Sequence, residues 1–318
     1  MRLQAMYESA YRAGIAADPR GRDGVARVLE RAQREFEDLP ERTRWEFDRE
    51  SLVNPYADTR ILVGDPELEI SSILVGIDLE VGEVLLADTL RARGKQIDLL
   101  LAHHPEGRAL ARLEQVMALQ ADVWRNFGVS IAVGDAMMGD RMLEIMRALH
   151  PRNNERTLAA ARLLGQPFMC CHTPADNNVN RFVQERCDEL GADSTVEELL
   201  DMLKSVPEYR QAVLEGTGPT LFEGGEKRRT GRIMVDMTGG TSGPVDALGK
   251  LAAAGVGTIV GMHMGEDHRK RAKAEHMNVV IAGHISSDSL GMNLIIDAFE
   301  REGVRVVPCS GFTRVSRA

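Results

Sequence analysis

Ile97-Asp98-Leu99-Leu100-Leu101-Ala102-His103-His104-Pro105 is the stretch from which the fold is read. An aliphatic run of strand length ends abruptly in two imidazoles and a proline, and proline cannot donate to a continuing ladder. Upstream, Ile73 to Ile77 is a second short, buried-type strand. Between them, Val81 to Arg93 carries Val81, Val84, Leu85 and Leu90 at helical spacing. Strand, helix, strand predicts a parallel pair with a right-handed crossover. Ligands of open α/β sheets bind beyond the carboxyl ends of the strands. His103 and His104 therefore sit where such a fold does its chemistry.

The pattern returns further on. Arg232 to Asp236 is a strand, a Gly-rich turn follows, a helix is predicted over about 244–254, and Thr258 to Met262 is a strand that ends in His263. This reads as an internal duplication. Two more strands also end in histidine: Phe168-Met169-Cys170-Cys171-His172 and Val279-Val280-Ile281-Ala282-Gly283-His284. Residues 1–50 read as helix, turn, helix, broken at Asp18-Pro19-Arg20-Gly21, with packing as their expected role. Leu110–Phe127 and Met138–Leu149 are strongly helical, and Ser194 to Glu197 is a capping box opening a helix to about Lys204. The predicted fold is α/β: two related halves with layered α/β/α packing and an N-terminal helical extension. The expected divisions are 1–60 for the extension, 61–204 for the first half with a helical insertion near 106–166, 205–230 for a linker rich in Gly and Pro, and 231–318 for the second half.

Of eight histidines, five follow directly on apolar strands. His172 and His284 each have a carboxylate four residues on, Asp176 and Asp288. At a strand-to-helix turn that spacing points both side chains into one cavity. Imidazole with carboxylate suits Zn²⁺, Mn²⁺, Fe²⁺, Co²⁺ or Ni²⁺, whereas Mg²⁺ and Ca²⁺ prefer all-oxygen sets. Taken singly, each signal has a plainer explanation: a strand-end histidine often binds only a loop carbonyl, and adjacent histidines are usually unrelated side chains. Jointly they favour metal. The turn Thr238-Gly239-Gly240-Thr241-Ser242-Gly243-Pro244 is a second candidate. With Ser242 as N-cap and Pro244 near N1, a helix N-terminus there would take a phosphate or other anion through Gly239, Gly240, Thr241, Ser242 and Gly243; the plainer reading is a tight turn alone. No Walker lysine follows. Cys170 and Cys171 beside His172 would permit a Cys-His nucleophile, but apolar-flanked cysteines are more often core, and no G-x-S-x-G elbow is present.

The formal net charge is −9 over 318 residues, which argues against nucleic acid as a main partner, since phosphate contacts need clustered Lys and Arg. Hydrophobic residues make up 43%, enough for a sizeable core. No apolar run reaches membrane-spanning length and no signal-type leader opens the chain. The four cysteines form no C-x-x-C pair, so reduced thiols and a cytoplasmic location are expected.

Several motifs, in order, resemble one family. Asn54 to Pro66, Ile73 to Asp78, Leu100-Leu101-Ala102-His103-His104-Pro105, Cys171-His172-Thr173-Pro174-Ala175-Asp176 with Val179-Asn180, Thr238 to Gly243, and Ala282 to Asp288 together resemble the NGG-one-interacting-factor-three (Nif-three-like) family, some of whose members carry the name type 2 GTP cyclohydrolase I. The resemblance implies two divalent metal ions at the junction of two α/β halves and a ring-shaped homohexamer. It implies His103, His104, Asp176 and His284 as ligands, with Asp288 standing where the family has Glu. His172 would line the pocket, and His268 lies near a further family histidine. Residues 105–171 form a longer segment than the family's, and the N-terminal 50 residues are extra.

The function expected from this set is a metal-dependent hydrolase of cyclohydrolase or phosphohydrolase type. It would act on a nucleotide-like or phosphate-bearing small molecule, with His172 moving protons. The rival is a non-catalytic metal carrier, or an oligomeric scaffold for a protein partner.

Overall fold

The computed structural model describes residues 1–318. The chain opens with helices α1 (Leu3–Ala17) and α2 (Gly21–Asp38), broken at Asp18-Pro19 as expected. It continues through β1 (Arg60–Val63), β2 (Ser72–Gly76), α3 (Val81–Ala92) and β3 (Leu99–Ala102). The predicted helix over 110–127 is instead broken into α4 (Gly107–Ala111), a 3₁₀ stretch Leu113–Ala118 and α5 (Leu119–Asn126). Then come α6 (Ile131–Leu149), α7 (Arg156–Leu163), β4 (Phe168–Cys170), α8 (Thr173–Leu190) and α9 (Val196–Ser205). The cap of α9 is Thr195 with Glu198, one residue later than the sequence suggests. Residues 205–230 are not bare linker. They carry α10 (Pro207–Leu214) and β5 (Thr220–Glu223). The second half follows with β6 (Arg232–Asp236), α11 (Ala247–Ala253), β7 (Val256–Gly261), α12 (Glu266–Ala274), β8 (Asn278–Ile281) and α13 (His284–Arg301), and the chain ends on β9 (Arg305–Pro308).

The two sheets repeat one topology. The first has the order β1-β4-β3-β2-β9 and the second β5-β8-β7-β6. In each, the first-named strand is an antiparallel edge, shifted in register after its second residue, and the other pairs are parallel. The duplication is therefore real at the level of topology. Helices α8 and α13 follow equivalent strands, β4 and β8, so His172 and His284 occupy equivalent positions. The sequence did not reveal β9, which crosses back to pair with β2. That return ties the C-terminus to the first sheet.

Side chains alternate across the sheets as a period of two requires. Ile73, Val75, Leu99 and Leu101 face a core shared with α1 and with Met292, Ile295, Ile296 and Phe299 of α13. Leu74, Leu100 and Phe168 face α3 and α7 on the other side. In the second sheet, Ile233, Val235, Val260 and Val280 pack on Val179 and Val183 of α8. Met234, Ile259 and Val279 pack on α5, α6 and α11. The halves thus exchange helices: α13 of the second covers the first sheet, and α8 of the first covers the second. The two helices touch where Gly291 lies against Ala175, and a Cβ at Gly291 would stand 2.4 Å from the Ala175 carbonyl. The insertion spans both halves, with α4 and α7 on one sheet and α5 and α6 on the other. No helix is long and apolar enough to cross a membrane.

Candidate metal centre

Pairing of β2 with β3 runs on past the strand ends. His103 N–H donates to the Gly76 carbonyl and His104 N–H to the Ile77 carbonyl. Both imidazoles are therefore held at the sheet edge. Asp176 lies in the first turn of α8, where the helix dipole favours a carboxylate. Asp288 lies just inside α13, and its side chain is fully buried.

These groups meet at one point. His103 Nε2 is 3.5 Å from Asp176 Oδ1 and 3.5 Å from Asp288 Oδ1. His104 Nε2 and His284 Nε2 are each 3.6 Å from Asp288 Oδ2, and His172 Nε2 is 3.8 Å from Asp176 Oδ2. Such separations are too long for hydrogen bonds. They match two ligands on one cation: donors held tetrahedrally at about 2.1 Å stand about 3.4 Å apart. Asp176 Oδ1 and both oxygens of Asp288 are buried with no hydrogen-bond partner, a costly state for carboxylates unless something positive meets them. Three overlapping groups are able to hold an ion: His103, His104 and His172; His104, His284 and Asp288; His103, Asp176 and Asp288. The residues fit divalent metal.

The rings are also oriented. His103 Nδ1 donates to the Cys171 carbonyl at 3.1 Å. His104 Nδ1 lies 2.6 Å from Asp78 Oδ1, and His172 Nδ1 lies 2.8 Å from Asp58 Oδ2. In each ring the anchored Nδ1 leaves Nε2 facing the carboxylates, the arrangement that fixes metal-binding histidines elsewhere. Burial lowers His103 to about 4, so its ring stays neutral near neutral pH. Burial also works against charge on His172, but Asp176 and Asp58 outweigh it and hold that ring at about 9. Burial pushes Asp176 up, whereas the surrounding imidazoles, His103 first, outweigh burial at Asp288 and hold it down. The centre has an inner and an outer side: the side chain of His103 is 1% exposed, but that of His284 is 40% exposed.

No family model matches the chain, and no curated protein matches it. Among solved structures, a NIF3 superfamily protein from Sphaerobacter thermophilus is similar with a TM-score of 0.71 and 26% identity, covering 90% of this chain and 98% of that one. The chain is NIF3-like. A Bacillus cereus protein related to NIF3 is similar at a TM-score of 0.44 and 10% identity, covering 91% and 96%.

The NIF3-like chain departs from expectation at the Gly-rich turn. Helix α11 starts at Ala247 after Asp246, so Ser242 is not its N-cap and Pro244 is not at N1. No helix N-terminus points an anion site at the turn. Instead, the turn is packed under the insertion. Gln120 Nε2 donates to the carbonyls of Gly239 and Thr241 at 2.7 and 2.6 Å, and Arg141 Nε donates to that of Ser242 at 3.0 Å. Gly239 has φ +94°, and a Cβ there would meet Gln120 Cγ at 2.6 Å. Gly240, Thr241, Ser242 and Gly243 still line a small cavity of about 60 Å³ beside the metal-ligand groups, together with Asp236 and His263, while Gly239 is not part of its wall. His268 turns away to the Gly243 carbonyl, with Nε2 at 2.9 Å.

The site of this NIF3-like chain also uses residues to which sequence reasoning gave no role. Asp78 stands two residues past the end of β2, so a strand-end signal was available for it. Asp58 carried none, because its partner His172 lies far along the chain. Gln120 sits on a helix whose apolar spacing points only to packing.

Proposed function

We propose that this protein binds two divalent metal ions through His103, His104, His172, Asp176, His284 and Asp288, and uses them in hydrolysis of a small polar substrate. The observation that carries the reading is the set of unpartnered buried oxygens on Asp176 and Asp288, held at ligand spacing from imidazole nitrogens. A pair of divalent cations supplies Lewis acidity and lowers the pKa of bound water from 15.7 toward about 7. The remaining work belongs to the chain. Asp288, with its two oxygens directed toward different imidazoles, would hold metal together with His103, His104 and His284, and the anchored Nδ1 groups keep the donors in register. His172, assigned to proton transfer on sequence grounds, belongs to one of the ion-holding groups, so its role becomes that of a ligand. His263 lies outside those groups and lines the cavity, its ring centroid 4.9 Å from that of His284. It is the imidazole free to exchange a proton with substrate. A cavity of about 60 Å³ admits only the reacting group of a nucleotide-sized molecule, whose remainder would stay outside, on the exposed His284 side.

Elemental analysis of purified protein, with a His103→Ala/His104→Ala variant beside it, tests the reading. Two ions per wild-type chain and none in a folded variant are expected; two ions in both overturn it. A non-catalytic carrier is the second reading, favoured by the 40% exposure of His284, which leaves one ligand open to exchange. Turnover across a panel of nucleotides, phosphoesters and cyclic amidines, lost with the ligands, separates enzyme from carrier. The homohexamer implied by the family likeness belongs to the same proposal, and sedimentation equilibrium measures it.

A further inference from the structure

The N-terminal extension has no part in the donor set, yet the segment that joins it to the first sheet carries a residue that reaches the centre. Asp58 lies just before β1, in the segment linking the extension to the first sheet. Its side chain is fully buried. Oδ2 accepts hydrogen bonds from His172 Nδ1 at 2.8 Å, from Thr173 Oγ1 at 2.6 Å and from Thr173 N at 3.3 Å. A carboxylate flanked by such donors is acceptor-only, so His172 must carry a proton on Nδ1. Nε2 is then the atom turned toward Asp176. The backbone supports the same contact, since His172 N–H donates to Thr59 Oγ1 at 3.1 Å.

The segment that carries Asp58 is clamped by the extension. The Arg60 guanidinium, 1% exposed, donates to the carbonyls of Tyr56 and Thr59 and pairs with Asp48 at 2.9 Å. Asn54 Nδ2 donates to the Thr59 carbonyl at 3.0 Å and to Tyr7 Oη at 2.8 Å. Tyr56 Oη donates to Asp18 at 2.7 Å. Helix α1 and residues 48–60 thus hold the backbone of 56–60 in one place, and with it a carboxylate that a mobile loop would not keep buried.

We infer that Asp58 is a positioning residue of the metal centre, fixing the ring of His172 with Nε2 inward, and that the N-terminal extension serves the centre by holding Asp58 there. The inference rests on the metal reading above, but its test is separable from it. Outer carboxylate partners of ligating histidines typically change metal affinity by about 10–100-fold. The test has two parts. Proton and ¹⁵N NMR of full-length wild type, metal-free and loaded with Zn²⁺, should show an exchange-protected, downfield Nδ1 proton on His172 in both states. Chelator competition should then show Asp58→Asn, folded by circular dichroism, binding Zn²⁺ about 10–100-fold more weakly than wild type. Absence of the protected proton from wild type overturns the inference, even if the variant fails to fold. So does a folded Asp58→Asn protein with wild-type zinc affinity. A wild type that shows the proton but binds no zinc removes the metal reading itself, and with it the role claimed for Asp58.

Discussion

His103 Nε2 lies 3.5 Å from Asp288 Oδ1, although the first ends a strand of one half and the second begins a helix of the other. The contact exists because α13 crosses over to cover the first sheet. It places a buried carboxylate with no hydrogen-bond partner among three imidazoles, His103, His104 and His284, and two expected outcomes depend on that crossing.

The first concerns metal-linked stability. Zn²⁺ at a hundred times its dissociation constant should raise wild-type stability by about 2.7 kcal/mol, because only the folded state gathers the donors. Asp288→Asn removes an anionic ligand common to two of the ion-holding groups and should show no zinc-dependent gain. Urea unfolding with zinc or with EDTA measures it. An equal gain in both proteins would place the ion elsewhere.

The second concerns the crossing itself. Alanine at Gly291 would bring a Cβ to 2.4 Å from the Ala175 carbonyl, one residue from Asp176. Gly291→Ala should cost about 1–3 kcal/mol by overpacking, and it should weaken zinc binding at least about tenfold by moving Asp288 away from Asp176. The control is Gly139→Ala in α6, where a Cβ meets nothing within 4 Å. That change should be neutral or stabilising by up to about 1 kcal/mol, since it removes glycine from a helix interior. Similar behaviour of the two variants in thermal unfolding and zinc titration would contradict the packing argument.

Acid should act through the clamp of the N-terminal extension. Burial raises the Asp48 carboxyl, but Arg60 and Arg112 outweigh it and hold the group below its ordinary 3.8. The unfolded chain therefore binds this proton at higher pH than the folded one. The stabilisation is complete above the ordinary value and disappears as pH falls through the lower folded value. Asp48→Asn should cost about 2 kcal/mol at pH 7, much of it from leaving Arg60 short of its partner. The deficit should shrink steadily below about pH 4. Parallel urea titrations from neutral to acid pH check this, and a deficit independent of pH would show that the charge plays no part.

The thiols should be inert. Burial pushes Cys170 and Cys187 up to about 12, and half-buried Cys309 up to about 11. Since the thiolate is the reactive form, iodoacetamide at pH 8 should modify less than about a tenth of Cys170 and Cys187 in the time that labels the denatured chain fully. Mass spectrometry of the folded and denatured protein reads the difference. Rapid labelling of Cys170 in the folded state would revive the Cys-His nucleophile set aside on sequence grounds.

Much of the fold can be read along the chain. Aliphatic runs that stop at His103, His172, His263 and His284 mark strands and their carboxyl ends, because period and length are local properties. The repeated strand-helix-strand pattern revealed the duplication for the same reason. The Gly-rich turn shows the limit of local reading. Its glycines are required, as Gly239 shows, but they admit Gln120 and its neighbours rather than an anion at a helix end. The turn's partner lay in another helix, and nothing in residues 238–244 names it. The short strands β5 and β9 also went unread: each is four residues long and stabilised by pairing with a distant strand rather than by a pattern of its own.

The amino-acid sequence alone determined the types of element, the twofold repeat, and the strand ends and helix turns where imidazole and carboxylate would stand. Only the tertiary structure decided that these ends share one point, that α8 and α13 trade sheets to bring Asp176 and Asp288 together, and that Asp58 and Asp78 turn the rings inward. Periodicity acts over a few residues through backbone geometry. The convergence of groups far apart in the chain is settled by how whole faces pack, as in the close approach of Gly291 to Ala175.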